Sequence, residues 1–296
     1  MTSPANVRAP MSVRDLGYRA YEGTRLPASH NTWVMIRHSL RRAWASWLVK
    51  LPIFFCLGTT IVLGIWYFAA TLFTAQSGSG ETFDAAPLVR NLVTAQMWLF
   101  LPFITLGAGA GAIAQDAVHR AFQFYFAKPV TPIQYLIGRV SAVAFFSALV
   151  LLIPGVLLIL ITVSYGAPTD EVRIERTGYL LPLLLSTVVL SVVMASVSVG
   201  LSSLAKSRAL TMSSWILLLV VPHVIAGAIS LIAETDWVFF ASMPGLLDVV
   251  VDALFKSARD PKAHLEWWHA APVLAALTGG SLYLAHWRLT RAEVIT

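Results

Sequence analysis

Three places in the 296-residue sequence bring reactive side chains close together. The stretch HLEWWH at 264–269 holds His264, Glu266 and His269. These are metal-ligating types, but a closed structural zinc site takes about four ligands, and this pattern offers too few. His223 lies beside Pro222 deep in an apolar run. An ionisable group in hydrocarbon is a functional candidate by default. Its competing role is structural, because Pro222 frees a backbone carbonyl that a neutral imidazole can satisfy. The third place is QDAVHRAFQFYFAKPVTPIQYLIGR, residues 115–139. It packs charges, aromatics and two prolines into a short space. Its side chains suit anchoring better than catalysis, since aromatic and basic groups on a rigid turn make good contact points.

Several chemistries are missing. No G-x-x-x-x-G-K-[ST] motif occurs, so the chain has no P-loop for ATP. No carboxylate network lies inside the apolar runs to couple transport to protons or sodium. There is no G-x-S-x-G, no H-E-x-x-H and no pair of membrane aspartates, which an intramembrane hydrolase needs to activate a nucleophile or water. The lone Cys56 cannot make an intrachain disulfide.

The elements that must position these residues are membrane helices. The chain is 57% hydrophobic and 12% charged, with mean hydropathy +0.72, against roughly 25% charged for a soluble domain. Six stretches reach the ~20 apolar residues a crossing helix needs: 51–74, 91–114, 140–165, 179–205, 209–233 and 269–287. None contains Asp, Glu, Lys or Arg, and none alternates with a strand's period. The expected fold is an all-α integral membrane protein with six transmembrane helices. Residues 1–50 form a cytoplasmic N-terminal segment, and 51–296 the transmembrane domain. No cleavable signal peptide opens the chain, because its first 50 residues are polar and basic.

Charge sets the orientation. With the N-terminus inside, segments 1–50, 115–139, 206–208 and 288–296 carry fifteen of the 21 Lys/Arg. Only four of the 15 acids lie there. The positive-inside rule then places both termini in the cytoplasm. Trp44, Trp47 and Trp287 fall at inner ends, and Trp267 and Trp268 at an outer end. The net charge of +6 is read as orientation charge rather than a nucleic-acid signal.

Residues 32–50 place Trp33, Ile36, Leu40, Ala43, Trp44 and Trp47 on one helical face, and Arg37, His38, Arg41 and Arg42 on the other. This predicts an amphipathic interfacial helix. In 115–127, Val118, Phe122 and Tyr125 share a helical face. Pro129 ends that helix. Thr131 can cap the next one, with Pro132 at its first position and Gln134 completing a capping box. The result is helix, turn, helix on the cytoplasmic face. Two readings stay open: an ordinary lipid-surface loop, or a docking element for a cytoplasmic protein.

Asp116, Lys128, Pro129, Val130, Thr131, Tyr135, Gly138 and Arg139 follow a (K/R)-P-(V/L)-(S/T)-x-x-x-Y-x-x-G-(K/R) pattern after span two. With six spans and a basic amphipathic start, this resembles the permease subunits of bacterial type-two ABC exporters, as does the opening RDLGYRAYEGTRLP. Those relatives show an acidic run and a Gly-Thr pair where this chain has Asp116 and HRAFQFY. The resemblance implies that 115–139 contains a coupling helix seated in a groove on a separate ATPase. The contacting residues would be Asp116, His119, Arg120, Phe122, Gln123, Tyr125, Phe126, Lys128, Pro129, Tyr135 and Arg139. It also implies two ATPase copies carrying ATP and magnesium, no cofactor in this chain, and a second permease copy or a related permease. The location implied is the bacterial cytoplasmic membrane. The 32–50 helix would border the ATPase or simply anchor in lipid.

The stretch 237–256 is too apolar for a solvated loop and too short in each piece to cross. MPG at 243–245 breaks it, which suggests two re-entrant helices in the outer leaflet; the resembled exporters carry such helices as an outer gate. Gly107 and Gly111 allow close helix approach, read as packing within the subunit over a dimer seam. Ser191, Ser198 and Ser202 form a stripe that suits interhelical hydrogen bonding, or faces a substrate path. Remaining alternatives are an energy-independent channel or anchor, and an intramembrane enzyme built around His223.

Overall fold

The computed structural model describes residues 29–77, 85–126, 130–165, 169–256 and 265–294. Residues 1–28, Lys128, Pro129 and His264 lie outside them. Every regular element among the described residues is helical. Five helical stretches are long and apolar enough to cross a membrane: Trp47–Thr74, Pro87–Val118, Pro132–Tyr165, Asp170–Leu204 and Arg208–Ala233. The stretch expected as a sixth span forms a 28-residue helix, α12 (Trp267–Val294), which is not among these five. It is less apolar, because Pro272, Thr278, Gly279, Gly280 and Ser281 dilute its middle and His269 and His286 its ends.

The bundle is built around α7 (Pro132–Tyr165) and α9 (Leu180–Leu204), which pack along each other. α1 (Ser29–Trp44) and α2 (Trp47–Ser77) cover α7, and α12 covers α9. α10 (Arg208–Ala233) sits apart, with only 11% of its apolar window buried, against 61% for Pro87–Val118.

The amphipathic helix forms but ends early. α1 stops at Trp44, and α2 starts after a break at Ala45 and Ser46. One face of α1 packs on the bundle. Met35, Ser39 and Ala43 point into the bundle, while Trp33, Trp44 and Trp47 are exposed. The reason is a close crossing of α7. A Cβ at Gly138 would stand 2.9 Å from Met35 Cβ and 3.0 Å from its carbonyl carbon. Only small or slim side chains fit such a crossing, so the large aromatics turn outward.

Span two is not one straight helix. It runs as α3 (Ala85–Leu99), α4 (Leu101–Ile104), a π turn (Thr105–Gly109) and α5 (Ala112–Val118). Pro102 and the wide turn interrupt the regular ladder, two known causes of a bend.

At the far end of α7, α8 (Asp170–Gly178) is capped by Thr169 and carries Asp170 and Glu171 in its first turn. These acids suit the positive helix end. Its Arg176 is buried and donates to Tyr67 Oη at 2.8 Å and to the Thr162 carbonyl at 2.5 Å. Stretch 237–256 holds a 3₁₀ turn (Trp237–Ala241) and α11 (Met243–Leu254). MPG does not separate the two pieces; it opens α11, with Ser242 as N-cap accepting from Gly245 N at 3.1 Å. A proline in the first turn loses no intrahelical bond, so the break falls one residue earlier.

Candidate functional site

α5 does not continue to Ala127. His119 ends it, and Arg120 takes a left-handed conformation, φ 51°. Ala121 N donates to Asp116 O at 2.8 Å and Arg120 N to Ala117 O at 3.1 Å. That crossed pair closes a helix end on a left-handed residue. α6 (Phe122–Phe126) then sets off in a new direction. The helix face expected from Val118, Phe122 and Tyr125 is therefore split. Val118 is exposed, while Phe122 and Tyr125 pack on Tyr135 with ring centroids 5.7 and 5.4 Å away. The restart follows the expected capping box. Gln134 N donates to Thr131 Oγ1 at 3.3 Å, and Thr131 N donates to Gln134 Oε1 at 3.1 Å.

Beneath this turn, Asp116 is the centre of a buried network. Arg42 Nη1 donates to its Oδ1 at 2.6 Å. Tyr135 Oη donates to Oδ2 at 2.5 Å, and Arg139 Nη2 donates to the same oxygen. Arg42 also reaches Gln115 Oε1 at 2.9 Å. The carboxylate thus has three donors, the condition under which a buried ion pair repays its desolvation. Asp116, Tyr135 and Arg139 are each 3% exposed or less. These three, named above as docking contacts, are internal braces tying α1, α5 and α7 together. Nearby His38 has its pKa lowered, by burial first and then by Arg139 and Arg42, with Asp116 opposing.

The outward surface of the turn is different. His119, Arg120 and Gln123 are exposed, and Phe124 is 75% exposed. Sequence reasoning missed Phe124, because a single helix from 115 to 127 puts it off the Val118–Tyr125 face. His119 Nδ1 donates to Gln115 O at 2.7 Å. Phe126 ends α6.

The remaining expected residues serve packing. Gly107 lies where a Cβ would meet Leu48 Cβ at 2.8 Å, and Gly111 where one would meet Arg208 Cγ at 2.9 Å. Ser191 and Ser198 donate to carbonyls of their own helix. Ser202 Oγ accepts from Ile113 N and Ala114 N at 3.1 Å each, capping α5, which has no cap of its own. His223 pairs with Ser242 Oγ at 2.9 Å and packs against Trp98, ring centroids 4.4 Å apart and tilted at 56°. Its partner is the cap of α11 rather than a carbonyl freed by Pro222. His269 Nδ1 accepts from Glu266 N at 3.3 Å. No group of three metal-ligating side chains occurs among the described residues.

The arrangement is a polar turn tied to one end of an apolar bundle, with no reactive constellation around it among the described residues. Compared with known families, residues 36–242 match the one described as ABC-2 family transporter protein. The chain belongs to this family. No curated protein matches it. Membership makes it a permease subunit of an ABC transporter, a multi-pass membrane protein that associates with an ABC ATPase.

Proposed function

We propose that this ABC-2 permease works in an ATP-driven exporter of a bacterial cytoplasmic membrane. In this reading both termini are cytoplasmic, α12 is the sixth span, and α11 with its 3₁₀ turn dips into the outer leaflet. ATP and magnesium bind and react on two copies of a partner ATPase, and this chain is not itself an enzyme. Two copies of the permease, or this chain and a related one, enclose the path. The sparse covering of α10 supports a second protomer lying against it.

One observation carries the docking assignment. The exposed turn of His119, Arg120, Gln123 and Phe124 is fixed to the spans by Asp116, Tyr135 and Arg139. A push on it moves α5 and α7 as one body. Phe124 with Arg120 has the aromatic and basic make-up of an interface anchor. ATP-dependent closure of the ATPase then biases the bundle between two states.

The test is co-purification of the chain with its ATPase. Phe124→Ala and Arg120→Ala should weaken retention of the ATPase while the permease stays folded. Undiminished association in the double variant would sink the docking assignment.

A further inference from the structure

A cavity of about 230 Å³ lies between α1, the π turn of span two, the base of α7 and the first residue of α10. A single water needs roughly 10–15 Å³ on such a measure, so the space takes a polyatomic group. Arg42, Arg139 and Arg208 line it, together with Ser39, Ser46 and Gln115, and no acid does. Asp116 sits behind the lining and offsets only the two arginines it touches.

The lining is not internally satisfied. Ser39 Oγ and Arg139 Nε are buried without a hydrogen-bond partner among the described residues, and both residues are 3% exposed. Arg208 makes no hydrogen bond or ion pair among them, and its aliphatic stem lies on Gly111. Buried donors left open cost stability, and each such group calls for an explanation. Glycine and alanine on the span-two wall keep the room clear: a Cβ at Gly111 would already crowd Arg208.

We infer that this cavity binds a phosphate group. Guanidinium forks match tetrahedral phosphate oxygens, with charge-assisted and often paired bonds. Three arginines and a hydroxyl supply more donors than a carboxylate can accept at one site. The basicity of His38, one turn along α1, is lowered by burial first and then by Arg139 and Arg42. The cavity lies behind the Asp116 network, away from the exposed face of the 119–124 turn, so the inference does not depend on the docking assignment. The phosphate could belong to an anionic lipid headgroup or be free in solution.

The full-length chain, delipidated in neutral detergent, distinguishes the two. Native mass spectrometry reads retention of phosphatidylglycerol against phosphatidylcholine, and calorimetry reads inorganic phosphate. Wild type should hold at least one phosphate ligand. Arg208→Gln and Ser39→Ala should each weaken it about tenfold, because each removes a donor to a charged group. Lys206→Gln, which removes a charge from the adjoining groove, should stay within about twofold. Phosphatidylglycerol retained without inorganic phosphate binding assigns a lipid. Inorganic phosphate alone assigns a soluble ligand, and competition between them assigns the shared group. If wild type binds neither, if Arg208→Gln and Ser39→Ala bind as wild type does, or if Lys206→Gln loses as much as they do, the inference is overturned. Thermal unfolding of each variant confirms that the fold persists; Arg208, with no hydrogen-bond or ion-pair partner to lose among the described residues, is the safest substitution.

Discussion

Trp215 Nε1 donates a 2.8 Å hydrogen bond to Thr105 Oγ1, and both side chains are fully buried. The bond pins α10 to the π turn of span two, where the Thr105 hydroxyl also reaches back to the Leu101 carbonyl at 2.9 Å. α10 also packs on α9, α11 and the 3₁₀ turn, and this bond adds a polar tie to span two on a helix whose apolar window is only 11% buried. Spans two and five are thereby joined at the point where span two departs from regular geometry.

Trp215→Phe should loosen that joint. The indole donor is lost, and the smaller ring leaves space, for a combined cost of about 2 kcal/mol. A double-mutant cycle with Thr105→Val isolates the bond, and should give a coupling of about 1 kcal/mol in thermal unfolding. Strict additivity would show that the bond contributes nothing.

The two glycines of GAGAGA should respond differently to alanine. At Gly107 the new methyl meets Leu48 Cβ at 2.8 Å and its carbonyl carbon at 3.2 Å. Backbone cannot step aside, so span two must shift against α2, at a typical cost of about 1–3 kcal/mol for overpacking. At Gly111 it meets the Arg208 stem at 2.9 Å, and that side chain can swing. Gly107→Ala should lower the melting temperature in detergent more than Gly111→Ala; the reverse order would contradict this packing.

What was legible in the sequence was local. The Thr131–Gln134 capping box is a three-residue pattern, and it closes as read. The apolar runs became helices because length and composition suffice. What was not legible needed partners far along the chain. Asp116 looked like a surface acid in a polar segment, yet its donors are 74, 19 and 23 residues away. Nothing local marks Arg176 as buried, since Tyr67, which accepts from it, lies 109 residues away. The apolar face of α1 was legible, but which of its residues meet protein was not: Ala43 packs inside while Trp33 and Trp44 stay exposed, because hydrophobicity says that a side chain avoids water, not what covers it. Ser202 gave no signal as a cap, since the helix it caps is a different one.

Arg120 holds a conformation that costs a non-glycine residue about 1–2 kcal/mol. Arg120→Gly should therefore raise permease stability, by up to about 1 kcal/mol after glycine's extra chain entropy is deducted. The same change should weaken ATPase retention, because the exposed guanidinium is gone. A stability gain with a retention loss separates the residue's surface role from its backbone role. A gain in both would remove Arg120 from the docking surface.

Asp248 lies on α11, outside the five apolar spans, one turn from the ion pair of Asp252 with Arg90, which closes at 2.6 Å. Its Oδ1 has no hydrogen-bond partner among the described residues. Burial pushes the carboxyl up to about 6, with Arg90 opposing and the Asp252 charge assisting. An unfolded aspartate titrates near 3.9, so between roughly pH 4 and 6 the folded state holds more protons than the unfolded one. Unfolding free energy from this group therefore falls as pH rises through that window, and above it the whole penalty is present. Asp248→Asn keeps the shape and removes the ionisation. At pH 7 it should stabilise the protein by about 2 kcal/mol, a two-unit shift discounted for partial exposure. Near pH 4 the variant and wild type should converge. Thermal unfolding across pH 4–7.5 reads both effects. An unchanged pH slope in the variant, or a lower melting temperature at pH 7, would show that Asp248 is stabilised as an anion by Arg90.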